Sequence, residues 1–143
     1  MNKRSKTAGI LYIVVAAVSL ILGVIYLMST SFMPYHADAI DKSWESLEGS
    51  TQYLFLALMD VAGAGWLTLS FTILLLYYFP FRKEAVWVRY AIPSIILIFY
   101  IPTLLATLSV LFNTAATPPW SGNAICCLLA LFGLILDAPW KKG

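Results

Sequence analysis

Read for runs of apolar residues, the chain resolves into four, at 8–28, 52–79, 86–112 and 120–136. Each is long enough to cross the roughly 30 Å hydrocarbon layer of a bilayer, which takes about 20 residues of helix. The second run exceeds that length, so it must tilt or project into water. The fourth is near the short limit and follows directly on Pro118 and Pro119, residues suited to the start of a helix and not to its interior. The second and third connections are short, which forces neighbouring spans to pack antiparallel. The pattern predicts an all-α integral membrane protein, a single domain over 1–143 built as an antiparallel four-helix transmembrane bundle.

The first connection is much longer than a hairpin requires. From 29 to 51 it reads STSFMPYHADAIDKSWESLEGST. His36, Ile40, Trp44 and Leu47 recur at helical spacing on one face, and Asp38, Asp41, Glu45 and Glu48 on another. This spacing predicts a short amphipathic helix over about 36–48, opened near Pro34 and closed by Gly49. It should lie along the outer membrane surface or cap the bundle.

Small residues mark where helices can approach closely in lipid, where packing drives association. The first span carries such a stripe at Tyr12, Ala16, Ser19, Gly23 and Tyr26. The second carries one at Ala57, Asp60, Ala64 and Thr68, which places Asp60 on a packing face. Counted from Gln52, Asp60 lies about 12 Å below the outer boundary. Ser19, Tyr100 and Thr103 fall at a similar level, with Thr107, Tyr26 and Asn123 nearer the outside. Pro93 and Pro102 should bend the third span and free backbone carbonyls.

Composition excludes a soluble fold: 61% of residues are hydrophobic and 11% charged, against about 45–50% and 25% in soluble domains. A formal net charge of +2 offers no basic excess for nucleic acid. Position matters more than total. Lys3, Arg4 and Lys6 precede the first span, Arg82, Lys83 and Arg89 flank the second connection, and Lys141 and Lys142 follow the fourth; only Lys42 lies on the other side. Both termini should therefore face the cytoplasm. Tyr77, Tyr78, Phe79, Phe81, Trp87, Tyr90 and Trp140 mark one interface, and Tyr26, Tyr35, Trp44, Tyr53 and Trp120 the other. Ala37-Asp38-Ala39 imitates a signal-peptidase site, but the apolar stretch before it is too long for a signal core and ends well short of it.

Candidate chemistry centres on Asp60. A charged acid in mid-membrane costs about 2.5–3.5 kcal/mol on insertion scales. Asp60 is therefore expected to be a neutral acid bonded to Tyr100 or Thr103, or to stand in a wet cavity. His36 and Trp44 could fold over that cavity from the amphipathic segment. The expected ligand-binding set is Asp60, Tyr100, Thr103, Ser19, Trp44 and His36, with no catalytic residue, metal or cofactor. Cys126 and Cys127 are adjacent, a poor geometry for a disulfide, and read as core residues. Asp137 is expected to form an interface ion pair with Lys141, Lys142 or Arg89.

The order MPYHADAIDKSWESL, QYLFLALMDVAGAGWL, FPFRKEAVWVRYAIP and TAATPPW resembles small four-span bacterial membrane proteins, loosely DoxX-like. The resemblance covers most of the chain and implies a four-span fold in the bacterial inner membrane; it brings no reaction. The wider four-span neighbourhood includes sterol-isomerase-like and sterol-binding proteins, which use more than one ionisable group in the cavity, whereas Asp60 stands alone. The expected function is non-enzymatic: binding of an apolar or amphipathic ligand, such as a lipid or quinone, in an outward-opening pocket around Asp60. The alternatives are a proton-linked transporter component and an accessory subunit of a larger membrane complex, with the bilayer and further copies of the chain as partners.

Overall fold

The computed structural model describes residues 1–141, all-helical apart from turns and connections. The helices are α1 (Lys3–Met28), α2 (Pro34–Ile40), α3 (Gly49–Leu76), α4 (Val88–Asn113) and α5 (Trp120–Asp137). All but α2 are long and apolar enough to cross a membrane. Helix α3 runs on into a π-helical turn, Tyr77–Phe81, in which Arg82 N–H reaches the Tyr77 carbonyl at 3.2 Å. Pro80 is the cause: it has no N–H for the ordinary ladder, and widening the turn lets the backbone pass it. Ala138, in the left-handed conformation, stops α5 and directs its N–H to the Leu134 carbonyl at 3.0 Å.

Helix α1 is the hub, packed against α3 on one side and α5 on the other, while α4 packs against α5 and scarcely touches α3. The α1–α3 seam repeats every seven residues. A Cβ at Gly9 would lie 2.5 Å from the Tyr77 ring, and Ser70 Oγ donates to the Ala16 carbonyl at 2.8 Å. A Cβ at Gly23 would stand 3.0 Å from the Gly63 carbonyl oxygen, and one at Gly63 3.1 Å from that of Gly23. Contacts thus climb α1 through positions 9, 16 and 23 while descending α3 through 77, 70 and 63. Small residues at seven-residue steps on α1 hold the two helices in one register.

This register corrects the placement of Asp60. Ala57, Asp60, Ala64 and Thr68 are all exposed, whereas Met59, Gly63, Trp66, Ser70 and Ile73 are buried. The helix has two stripes with small residues, and only the one holding Gly63 and Ser70 matches the seven-residue steps of α1. With Gly63 beside Gly23, Asp60 stands level with Tyr26, about 32 Å along α1 from Ser5 at ~1.5 Å per residue, and α3 extends about 16 Å past it to Gly49.

The first connection also departs from expectation. Helix α2 ends at Ile40, Asp41 turns left-handed with φ 51°, and Trp44–Ser46 forms a separate 3-10 turn. One helix over 36–48 would have faced four acidic side chains along a single stripe; the left-handed turn breaks that stripe.

At the opposite end, where the basic residues gather, lies a buried polar group. Arg89 Nη1 donates to Asp137 Oδ1 at 2.5 Å and to Ser5 Oγ at 3.0 Å, and Ser5 Oγ donates to the same carboxylate oxygen at 2.5 Å. The Phe81 ring centroid lies 5.3 Å from the guanidinium carbon. Arg89 and Asp137 are each 2% exposed, so this pairing is interior and ties the starts of α1 and α4 to the end of α5. Lys142 and the side chain of Lys141, the other expected partners of Asp137, lie outside the described residues. Removing one partner of a buried pair costs about 3–5 kcal/mol, while replacing both by apolar residues is often neutral. Arg89→Met should therefore lower stability to detergent denaturation by about 3 kcal/mol, and adding Asp137→Leu should restore most of it. A double variant no more stable than the single one would show that the loss does not come from an unpaired buried charge.

Candidate ligand cavity

Beneath α2 the long helices enclose a cavity. It has two lobes that share Tyr26, Tyr35, Trp66, Thr103 and Thr107. The more enclosed lobe, about 370 Å³, lies among α1, α4 and α5, against Val18, Leu22, Tyr100 and Asn123. The other, about 320 Å³, opens between α3 and α4, where Phe55, Met59 and Ala62 face Ala106 and Val110. Lining residues 55, 58, 59, 62 and 66 recur every three or four positions, so they share one face of α3. Along α1 the cavity runs from Val18 to Tyr26, about 12 Å.

The floor is aromatic. Trp66 packs edge-on to Phe99 and Tyr100, with centroids 4.7 and 5.1 Å away. Tyr100 is fully buried, and its hydroxyl is 2.9 Å from Ser19 Oγ, which also donates to the Val15 carbonyl at 2.8 Å. These groups satisfy one another beneath the cavity.

The mouth is polar without being charged; no Lys, Arg, Asp or Glu lines either lobe. The Tyr26 and Tyr35 hydroxyls are 2.5 Å apart, so one donates to the other and the second keeps its own O–H for another acceptor. Asn123 Nδ2 donates to Thr107 Oγ1 at 3.2 Å, which leaves its carbonyl oxygen as an acceptor. His36 Nδ1 accepts the Met33 N–H at 3.2 Å, so the ring proton sits on Nε2.

Helix α2 covers the mouth through an aromatic cluster. The buried Phe32 ring lies edge-on to Trp44 at 5.1 Å and to Phe55 at 5.4 Å, and Tyr35 touches the His36 ring at 4.2 Å. Gln52 Nε2 donates to the Trp44 carbonyl at 2.8 Å, fixing this segment to the start of α3.

The expected site residues therefore divide. Tyr100 and Thr103 line the cavity, Ser19 supports Tyr100, and His36 stands at the mouth. Trp44 holds the cover through Phe32 and lines neither lobe. Asp60 is exposed on the side of α3 turned away from the cavity, far round the helix from Thr103 and Tyr100, so a bond to either, as first expected, does not form. Sequence reasoning missed Tyr26, Tyr35, Trp66 and Asn123 as site residues. Tyr26 and Tyr35 were read as interface aromatics, and what distinguishes them is their pairing across the fold.

Burial lowers the pKa of His36 below its ordinary 6.5, and the neutral Nδ1 is the form that caps α2. The unfolded segment then takes up a proton before the folded one, so the cover is fully stable above about pH 6.5 and loosens as pH falls through the lowered folded value. Titration by NMR should place His36 below 6.5, with faster amide exchange in α2 on acidification; a midpoint at or above that value would contradict the capping role. Compared with protein-family models, curated proteins and solved structures, the chain matches none.

Proposed function

We propose that the protein is a multi-pass membrane protein that binds one small amphipathic molecule, a lipid, a quinone or a similar compound, in the cavity beneath α2. On this reading α1, α3, α4 and α5 form an antiparallel bundle, and α2 lies in the extracytoplasmic loop. The lysines and arginines at the opposite end support an orientation with both termini in the cytoplasm. A bacterial inner membrane is the setting that the DoxX-like resemblance implies.

One observation carries the reading: an apolar floor and an uncharged polar mouth are stacked within about 12 Å of the level of Tyr26. An amphiphile in the outer leaflet has the same arrangement, its tail below the boundary and its polar end at it. Pockets of about 300–1,000 Å³ suit small ligands, and each lobe falls in that range. The spare phenol O–H and the His36 Nε2–H would meet a carbonyl or hydroxyl oxygen, and Asn123 would accept from a hydroxyl. Asp60 lies off the lining, which also speaks against a proton-linked transporter built on it.

Native mass spectrometry of protein extracted in mild detergent should show one bound molecule of lipid-like mass. Ala62→Phe, which fills the α3 wall of the open lobe, should lower its occupancy about tenfold, equivalent to ~1.4 kcal/mol. Asp60→Asn should leave occupancy unchanged. Equal occupancy in wild type and Ala62→Phe would place any bound lipid elsewhere.

A further inference from the structure

The α3–α4 seam does not end at the cavity floor. Beyond the Trp66–Phe99 pair it continues as a second groove of about 400 Å³, where Gly65, Leu69 and Thr72 face Ile95, Ile98 and Phe99. No charged side chain lines it. The open lobe and this groove lie on the same two helices, with Trp66 lining the lobe and Phe99 lining the groove. From Phe55 to Thr72 the seam is about 26 Å long, nearly the thickness of the hydrocarbon layer.

Gly65 is what lets this ring lie in the seam. A Cβ there would stand 3.3 Å from Phe99 Cε2, tighter than ordinary packing. Opposite it, Trp66 contacts the same ring at 4.7 Å between centroids. Phe99 is half-buried, on a helix that packs only sparsely against α3. Turning its ring off Trp66 would open the groove towards the Trp66 wall of the cavity.

We propose that the α3–α4 seam is one continuous track for the hydrocarbon tail of an uncharged, single-chain lipid, with the lipid's polar end at Tyr26, Tyr35 and His36 and Phe99 as the gate between the two segments. This rests on the ligand-binding reading of the cavity and adds to it the ligand's class and its route. Three observations select that class. The lining of both segments is free of charge, which disfavours anionic phospholipids. The lobes are each too small for two long acyl chains side by side. Both segments open sideways between α3 and α4, so a chain enters from the leaflet and need not pass through water.

Binding of monooctanoylglycerol and monopalmitoylglycerol, measured by native mass spectrometry on the full chain, tests this. The short chain reaches only the cavity; the long one must pass Phe99. The wild type should prefer the palmitoyl lipid by about tenfold. Gly65→Leu, which pushes a side chain into Phe99, should remove that preference while leaving octanoyl binding unchanged. Ile98→Trp, at a position 73% exposed and outside the core, should do the same without risk to folding. A palmitoyl preference that persists in both variants would overturn the track and leave the cavity standing. Failure of the wild type to bind either lipid would overturn the cavity reading and the track with it.

Discussion

The backbone approach of α1 and α3 at Gly23 and Gly63 is the constraint on which the remaining geometry depends. Lipid offers helices no hydrophobic reward for associating, so contact is stable only where backbones come near enough for dense van der Waals packing. Gly9, Ala16 and Gly23 on one helix, and Gly63 and Ser70 on the other, provide that approach at seven-residue intervals, with the Ser70–Ala16 hydrogen bond in the middle. Once this seam is closed, α3 is committed to α1. It cannot also lie flat against α4, which is held to α5. The open seam between α3 and α4 is the geometric remainder of that choice, and the cavity and the groove both lie in it.

The same register sorts the charges. Arg89 and Asp137 are buried together at the basic end, with Ser5 sharing the carboxylate oxygen and Phe81 beneath the guanidinium. Such a pair is tolerated because each charge has its counter-charge in place, although Arg89 Nε has no hydrogen-bond partner among the described residues. Asp60 is treated in the opposite way: it is exposed on α3 at the level of Tyr26. Besides the buried charge pair, the interior holds hydroxyl groups bonded within the fold, Ser19 to Tyr100 and Ser70 to the Ala16 carbonyl, and the uncharged mouth of the cavity.

The cover over that mouth is the least regular part of the fold. Pro34 starts α2, the His36 ring caps it, and Asp41 ends it after two turns. A helix this short is not stable alone. Its position comes from Phe32, which brings Trp44 and Phe55 together, and from the Tyr26–Tyr35 hydroxyl pair. The cover is thus held by a few aromatic contacts, the tyrosine pair and the Gln52–Trp44 hydrogen bond.

The number of spans, their approximate limits, the asymmetry of basic residues and the Tyr12–Ala16–Ser19–Gly23 face of α1 could be read from the chain, because each is a one-dimensional property: length, hydropathy, charge or helical period. The face of α3 could not be read in this way. Two stripes of small residues compete on it, and only the partner helix distinguishes Gly63 and Ser70 from Ala57, Asp60 and Ala64. The level of Asp60 relative to its neighbours is likewise set by pairing: counting along α3 from Gln52 takes no account of α1, whereas the Gly63–Gly23 approach puts Asp60 level with Tyr26. The sequence by itself determined that this chain belongs in a bilayer and how many times it can cross. Which side chains meet inside, and that a cavity remains between α3 and α4, only the tertiary structure decided, since inter-helix register arises from close packing between segments distant in the chain.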